Sequence, residues 1–311
     1  MVLKNSPLIK PATAMKVWAT ARQLGYVYNR NAANLRHGRS NIVGVVVNDL
    51  ANPFFVELLI GVERVLNEFG FVVLMAHTAE NLTVQNNVLV SMREQNAAGI
   101  ILCPVYDSPD DLPARIGQWD LPLVVVIRRL WDMNYDFVGS DNHAGIYRAA
   151  RYLISKGHRK IAYIGRQGRS YITEQRRSGF LKAMRECGID VDEKWVIDVP
   201  VSTDGGRQGL RTLLSLDDRP SAVLCYNDRV AIGVLNELDR LGLRAGRDLS
   251  VIGFDDIAEA AHTNPPLTTL AVTPELQGEL AGKMLLKRLD NPSGAPDTTI
   301  IDPVLVVRAT A

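Results

Sequence analysis

Short apolar runs separated by stretches of helical period follow one another along the chain from residue 41 onward. The first set of runs lies at 42–48, 71–77, 99–105 and 121–127. A second set lies at 160–165, 195–201, 221–227 and 249–256. Continuous apolar runs of this length are typical of strands that are buried on both faces of a parallel sheet. The pattern therefore predicts two successive sets of alternating strands and helices.

Helices are predicted between these strands. Within residues 54–70 the apolar positions form one amphipathic stripe, made of Leu58, Ile60, Val62, Val65 and Leu66. Gly70 is placed to end that helix, and a second helix is predicted over residues 176–188. The fold class predicted is α/β, with two doubly wound parallel-sheet lobes. Ligands of such sheets bind beyond the carboxyl ends of the strands, so a cleft between the lobes is expected.

Charge is distributed unevenly along the 311 residues. Residues 1–40 contain seven Lys or Arg and no acidic residue, which leaves 28 Lys or Arg against 34 Asp or Glu in the rest. A short basic segment on an acidic body suggests a polyanion as the partner of that segment. The segment 29–40, NRNAANLRHGRS, also carries an isolated leucine, Leu35.

Several classes of protein are disfavoured. Three widely spaced cysteines encode neither a disulfide framework nor a zinc site, and we find no secretion signal and no apolar run long enough to span a membrane. A cytoplasmic protein without a membrane partner is expected. Glycine motifs for dinucleotides, phosphates or hydrolase nucleophiles are missing, and no catalytic or metal-binding cluster stands out, so we expect neither an enzyme nor a cofactor.

Eight segments in order resemble the LacI/GalR family of bacterial transcription regulators. They are SPLIKPATAMKVWATARQLGYVYNR, AANLRHGRSNIVGVVVNDLANPFF, VGSDNHAG, LISKGHRKIAYIG, RRSGF, CYNDRVAIG, LSVIGFDDI and NPPLTTL. The resemblance implies a type I periplasmic-binding-protein-like body, operator DNA and a sugar-like effector as partners, and a homodimer. It implies a lobe at 41–142 with 271–295 and a second lobe at 143–270 with 296–311.

The resemblance identifies residues 29–40 as the hinge between DNA-binding and effector domains. In the family the leucine that matches Leu35 enters the minor groove of DNA, where an apolar wedge can unstack a base step while basic residues hold phosphates. The expected DNA-contacting residues are Asn29, Arg30, Ala32, Leu35, Arg36 and Arg39. Ala33 departs from the family pattern, which commonly has a basic residue there. The alternative is a solvated linker whose leucine packs on the body.

Residues 1–28 are expected to be the remnant of a helix-turn-helix domain. Met1 falls close to where the family's recognition helix ends, whereas residues 12–24 match the third helix of that domain. A shortened gene prediction, a trimmed chain and a natural truncation all remain open.

The resemblance places four effector-binding residues at strand ends or helix starts. Phe54 would offer an aromatic face, Arg176 a guanidinium fork, Asp255 a carboxylate acceptor, and Asn227 both a donor and an acceptor. The alternatives are packing in the core for Phe54 and a buried polar network for the other three.

Two further candidates are particular to this chain. Arg128 stands where an acidic residue is common in the family, and a second cation would favour an anionic ligand such as a sugar acid. Trp131, just beyond it, would either stack on the ligand or cover the packing of a lobe. The predicted function is an effector-responsive repressor, and the alternative is a solute-binding protein of a sugar transport system with the same fold. Dimerisation is expected through the helix at 54–69 and the helix that follows residue 80.

Overall fold

The computed structural model describes residues 10–25, 40–131, 134–166, 168 and 170–311. The chain divides into two units, Met1–Asn41 and Ile42–Ala311. In the first unit, helix α1 spans Pro11–Gln23, with Pro11 at the first helical position, where its missing N–H removes no hydrogen bond. None of the residues of α1 is buried within this structure. The helix matches the one predicted over residues 12–24.

A six-stranded parallel sheet forms the core of the first lobe of the second unit. Its strands are β1 (Ile42–Val47), β2 (Val72–His77), β3 (Gly99–Leu102), β4 (Leu123–Val126), β5 (Asp136–Ser140) and β11 (Thr298–Ile301). They are ordered β11-β5-β4-β3-β1-β2, and every neighbouring pair is parallel. The predicted parallel sheet is thus confirmed, and β2 lies at one edge of it.

The second lobe contains a four-stranded parallel sheet in the order β7-β6-β8-β9. Its strands are β6 (Ile161–Arg166), β7 (Val196–Val199), β8 (Ala222–Cys225) and β9 (Ser250–Ile252). The short strands β10 (Thr269–Ala271) and β12 (Val304–Val306) form a separate antiparallel pair. All eight predicted runs therefore contain a strand.

Helices of the second unit are α2 (Pro53–Glu68), α3 (Leu82–Glu94), α4 (Leu112–Gly117), α5 (Asn142–Ser155), α6 (Tyr171–Glu186), α7 (Thr203–Leu214), α8 (Asp228–Arg240) and α9 (Pro274–Asp290). Two 3-10 turns lie at Glu193–Trp195 and Ala258–His262. Gly70 has φ +74°, as expected for the residue that follows a helix end. Ile60, predicted on the buried stripe of α2, is 47% exposed.

Helices α2 and α9 touch through their backbones. A Cβ atom on Gly61 would lie 2.0 Å from the carbonyl oxygen of Glu275, and one on Gly278 would lie 2.0 Å from that of Leu58. The second lobe repeats the device between α7 and α8, where Gly206 and Gly233 leave no room for a side chain. Each lobe therefore has at least one pair of helices that only glycine allows to approach so closely.

The chain crosses between the lobes at a different place from the one predicted. Strand β11 pairs with β5 of the first sheet, with Thr298 opposite Phe137 and Ile301 opposite Ser140. Residues 298–301 thus belong to the first lobe, whereas the sequence assigned 296–311 to the second. The reason is that the half-polar TTII run continues a sheet edge, a position that leaves no continuous apolar signal.

Candidate ligand-binding site

A cavity of about 520 Å³ lies where the carboxyl ends of the strands of both sheets meet. This position is the one expected for ligands of doubly wound sheets, and its volume is in the range of small-molecule sites. Polar residues in its lining include Asn48, Asp49, Asn52, Glu80, Tyr106, Arg128, Asn142, Arg176, Asn227, Asp255 and Gln277. The predicted cleft is therefore present, with side chains from both lobes.

Arg176 lies on the first two turns of α6 and points its guanidinium into this cavity. Its Nε donates to Asn142 Oδ1 at 2.8 Å, and one Nη donates to the carbonyl oxygen of Tyr226. The guanidinium carbon lies 3.8 Å from the centroid of the Phe254 ring and 4.5 Å from that of Tyr226. The residue is 4% exposed, so the guanidinium is held in one orientation between two aromatic rings.

Asp255 faces Arg176 across the floor of the cavity. The remaining Nη of Arg176 is 3.9 Å from Asp255 Oδ1, which leaves the pair in contact but without a close hydrogen bond. Burial raises the pKa of Asp255 to about 6, against the opposing effects of Arg176 and of hydrogen bonds from Asn52 and Asn227. Its φ is +119°, a conformation that an aspartate adopts only when the surroundings hold it there.

Asn227 and Asp228 together position Asp255. Asn227 is the N-cap of α8 and accepts from the backbone N–H of Val230 at 3.1 Å, so its amide nitrogen is left to face Asp255. The fully buried carboxylate of Asp228 accepts from the N–H of Ile257 at 3.0 Å and from the hydroxyl of Thr269. Desolvation and the nearby Asp255 raise the pKa of Asp228. Asp228 therefore anchors the loop that carries Asp255.

Phe54 is the second residue of helix α2. The side chain of the N-cap residue Asn52 accepts from the N–H of Phe54 at 3.2 Å. Phe54 is 4% exposed and packs edge-on against Phe55, with ring centroids 5.5 Å apart. Both rings reach the cavity lining and both belong to the hydrophobic core. Phe54 thus lies both in the core and in the cavity lining, and its contact with an effector stays a prediction.

Two buried acceptors in the lining have no hydrogen-bond partner among the described residues: Oδ1 of Asn48 and Oε1 of Gln277. Each amide is held through its nitrogen. Asn48 Nδ2 donates to the carbonyl oxygen of Pro104 at 2.9 Å, and Gln277 Nε2 donates to that of Val272 at 2.7 Å. A buried acceptor without a donor costs free energy, and both atoms are shielded from the cavity by their neighbours in this structure.

Arg128 lines the cavity but is already paired. Its two Nη atoms donate to the carboxylate of Glu80 at 2.7 and 2.9 Å, and its guanidinium carbon lies 3.5 Å from the centroid of the Tyr106 ring. Glu80 was not identified from the sequence, because a lone acid in a strand-to-helix loop gives no signal of its partner. Because Glu80 neutralises Arg128, the presence of this arginine no longer supports the expectation of an anionic ligand.

Trp131 lies outside the cavity and is 52% exposed. It packs edge-on against Tyr171 of the second lobe, with centroids 5.2 Å apart, and its backbone N–H donates to Asp110. It borders a separate, much smaller pocket of about 50 Å³. The suggestion that Trp131 stacks on the ligand does not fit this position, and the alternative of covering lobe packing does.

Contacts between the lobes flank the cavity. Arg229 at the start of α8 forms an ion pair with Asp49, which follows β1. The hydroxyls of Tyr106 and Tyr226 lie 3.2 Å apart. These residues, with Asn52, Asn142 and Gln277, were missed from the sequence. The signal available for Asn52 and Asn142 was their position at the start of the helix that follows a strand.

The six expected DNA-contacting residues, Asn29, Arg30, Ala32, Leu35, Arg36 and Arg39, lie outside the described residues. Among the residues that the structure describes, no group of three or more His, Cys, Asp or Glu is placed to hold a metal. The helices in those same parts of the chain are too short or too polar to cross a bilayer.

Two doubly wound lobes around a polar cleft define a periplasmic-binding-protein-like body, and residues 150–311 match the family model described as a periplasmic binding protein-like domain. Curated relatives narrow the class. The chain is 30% identical over 308 residues to the ribose operon repressor of Haemophilus influenzae, a match that covers 99% of this chain and 92% of the relative. It is 32% identical over 313 aligned positions to the transcriptional repressor PurR of Yersinia pestis, covering 99% and 90%. The chain belongs to the LacI family of transcriptional regulators.

Solved structures agree with this assignment. A protein from Burkholderia thailandensis described as a putative ribose operon repressor superposes with a TM-score of 0.77 at 32% identity, over 86% of this chain and 99% of that one. The complex of the regulator CelR with cellobiose gives 0.81 at 27% identity, covering 100% and 94%. A LacI-family regulator from Enterococcus faecium with bound ribose gives 0.78 at 26% identity, covering 86% and 98%. The curated relatives are repressors and not enzymes.

Proposed function

We propose that this regulator responds to a neutral carbohydrate, which binds in the cavity between the lobes and changes the affinity of the protein for operator DNA. The observation that carries the proposal is the polar lining of the cavity, in which the Asp255 carboxylate and the Arg176 guanidinium lie 3.9 Å apart without a close hydrogen bond. Sugar hydroxyls can donate to Asp255 while they accept from Arg176 and Asn227.

The charges in the cleft support a neutral ligand over an anionic one. Each of the three acidic residues in the lining faces an arginine: Asp49 faces Arg229, Glu80 faces Arg128, and Asp255 faces Arg176. An anionic group would bring no donor to the Asp255 carboxylate and would be repelled by it. Phosphorylated or oxidised sugars are therefore expected to bind more weakly than neutral ones.

In this proposal Phe54 presents a face to the sugar ring, Arg176 and Asp255 bind adjacent hydroxyls, and Asn227 bridges between them. Arg128 borders the cavity as part of an ion pair, and Trp131 takes no part. Neutral pentoses and β-linked disaccharides are the first ligands to test, because the relatives with bound ribose and cellobiose share this fold.

Dimerisation through the first lobe is also proposed. Apolar side chains are exposed on α2, on the edge strand β2, on α3 and on α9, namely Val56, Ile60, Val72, Leu74, Met75, Val84, Val90 and Leu276. Exposed apolar side chains on several elements of one lobe suit an interface between two copies, and a two-fold dimer suits a palindromic operator. A second copy of the chain is therefore the proposed partner of this surface.

We propose that residues 29–39 contact operator DNA in the cytoplasm. Seven basic residues without an acid in residues 1–40 suit phosphate contacts, and Leu35 is the proposed minor-groove wedge. On a form that carries a complete helix-turn-helix, Leu35→Ala should lose most of the operator affinity in fluorescence anisotropy at two salt concentrations. The solute-binding alternative is not favoured, because the curated relatives are repressors.

Calorimetric titration tests the effector proposal. Ribose, cellobiose and other neutral sugars are titrated into the protein next to sugar phosphates, sugar acids and purine bases. Saturable, one-site binding of a neutral sugar is the expected result, together with a change in operator affinity of a helix-turn-helix form when that sugar is present. Binding of a purine base but no sugar would contradict the proposal.

A further inference from the structure

Several contacts hold the ion pair between Glu80 and Arg128 in the wall of the cavity. Both Nη atoms of Arg128 reach the Glu80 carboxylate, and the Arg128 side chain also donates to the carbonyl oxygen of Pro104 at 3.2 Å. The Tyr106 ring covers one face of the guanidinium. The Arg128 side chain is only 11% exposed, so its charge depends on Glu80 for compensation.

The backbone on both sides of the pair is held in conformations that L-residues rarely adopt. Ala79 and Glu80 have φ of +49° and +57°, and Ile127, directly before Arg128, has φ +66°. A β-branched residue such as isoleucine is especially disfavoured there. Strained backbone persists only where the surroundings impose it, and it is concentrated at functional sites.

Glu80 is fixed from both ends of its short loop. Thr78 is fully buried, and its N–H donates to the carbonyl oxygen of Val47 at 3.0 Å. Asn81 caps helix α3 by accepting from the N–H of Val84 at 3.0 Å. The backbone of Glu80 is therefore fixed between these two anchors, with its side chain directed towards Arg128.

We propose that the Glu80–Arg128 pair is a selectivity element that excludes anionic sugars from the cavity. Glu80 cancels the positive charge that would otherwise attract a phosphate or carboxylate to Arg128. The inference deepens the proposed function and rests on it. It concerns which form of a carbohydrate is accepted, and it assigns Arg128 and Glu80 no contact with a neutral ligand.

The test compares ribose with ribose 5-phosphate, and glucose with gluconate, by calorimetric titration at pH 7.5 with five proteins. Four of these are the parent, Glu80→Gln, Glu80→Asp and the double variant Glu80→Gln/Arg128→Gln. The fifth, Glu68→Gln, at the exposed end of α2, removes the same charge outside the cleft and is the matched control. Thermal melting without ligand shows that each variant is folded.

The parent is expected to bind the neutral member of a pair at least about 100-fold more tightly than the anionic one, the scale of an unpaired charge in a desolvated site. Glu80→Gln should reduce that ratio about 10-fold or more, mainly by tightening the anionic sugar. Glu80→Asp and Glu68→Gln should keep the ratio of the parent, and the double variant should regain it, because Arg128 is then also uncharged.

A parent that binds the neutral sugar together with a Glu80→Gln variant of unchanged ratio would overturn this assignment and leave the proposed function standing. If Glu80→Gln does not fold, the folded double variant replaces it in the test. A lower preference of that variant for the neutral sugar than the parent shows would likewise overturn the assignment. A parent that prefers the anionic member of a pair, or that binds none of the neutral sugars titrated here or in the test of the proposed function, would overturn the proposed function and the assignment together.

Discussion

The hydroxyl oxygens of Tyr106 and Tyr226 lie 3.2 Å apart, one from each lobe. Tyr106 follows β3 of the first sheet, and Tyr226 directly follows β8 of the second. The ion pair between Arg229 and Asp49 joins the lobes at another point of the cavity wall. Both contacts form within the protein itself, so part of the free energy that holds the cleft closed is present without a ligand.

Tyr106→Phe should therefore weaken ligand binding and speed ligand release. The substitution removes one hydrogen bond between the lobes, worth about 0.5–1.5 kcal/mol, but keeps the ring that covers Arg128. We expect a loss of affinity of about 2- to 12-fold, mostly in the dissociation rate, measured by stopped-flow fluorescence. Tyr152→Phe, which removes a hydroxyl bonded to the carbonyl oxygen of Ala311, is the control. Equal rates for Tyr106→Phe and the parent would contradict this role.

Arg176 and Arg177 offer a matched pair on α6, one buried in the cavity wall and the next exposed. Arg176→Ala should weaken binding of the neutral sugar by roughly 2–4 kcal/mol, because Asp255 then remains buried without its arginine. Arg176→Lys keeps the charge but loses the forked geometry of the guanidinium. Its affinity for the sugar should therefore lie between those of the parent and of Arg176→Ala. Arg177→Ala should bind as the parent does in calorimetric titration. Similar losses in both alanine variants would mean that Arg176 acts only through net charge.

Strand positions and the main polar residues of the site could be predicted from the sequence, because each leaves a local signal. The runs that form β1, β3, β6 and β8 are continuous and apolar, and Asn227 and Asp255 stand directly at strand ends. Partnerships over long separations leave no such signal. Glu80 meets Arg128 and Asp49 meets Arg229 only because the fold brings separate loops together. Arg128 could thus be identified as unusual, but its neutralisation could not be predicted.

The pKa of Asp255 makes ligand affinity depend on pH. Burial raises this pKa from 3.8 to about 6, so the carboxyl becomes protonated as the pH falls through 6 and accepts hydroxyl donors less well. Affinity for a neutral sugar should therefore be constant above pH 7 and fall between pH 7 and 5. Titration calorimetry over this range checks the trend, and Asp255→Asn should bind weakly with little pH dependence. A parent whose affinity stays flat down to pH 5 would contradict it.

The same shift has the opposite effect on the stability of the unliganded protein. The folded state holds the proton of Asp255 more tightly than the unfolded state, so this residue lowers stability as the pH rises from about 3.8 to 6 and adds no further change above that range. Relative to Asp255→Asn, the parent should thus gain melting temperature as the pH falls from 7 to 5. Scanning calorimetry of both proteins measures the difference. A constant difference would show that Asp255 is not shifted upward.

The exposed apolar residues of β2 give a direct test of dimerisation. Leu74 is 45% exposed on this edge strand, next to other apolar side chains of the first lobe. Leu74→Glu should place like charges opposite each other, or close to each other, across a two-fold interface and raise the dimer dissociation constant by at least about 10-fold. Leu241→Glu, on an apolar residue of similar exposure in the second lobe, is the control. Sedimentation equilibrium at micromolar concentration distinguishes these outcomes, and a monomeric parent would contradict the proposal.

The glycine contacts between α2 and α9 bear on how this cleft can change its ligand in evolution. Phe54 and Gln277 lie on the first turns of these two helices. The contact between the helices leaves no room for a side chain at Gly61 or Gly278. A larger residue at either glycine would clash with the backbone of the other helix. The two helices are therefore expected to keep their relative position when other residues of the cavity change. Descendants with a new effector are expected to keep these glycines and to differ at loop positions such as Glu80 and Arg128, where one exchange alters charge without moving the frame.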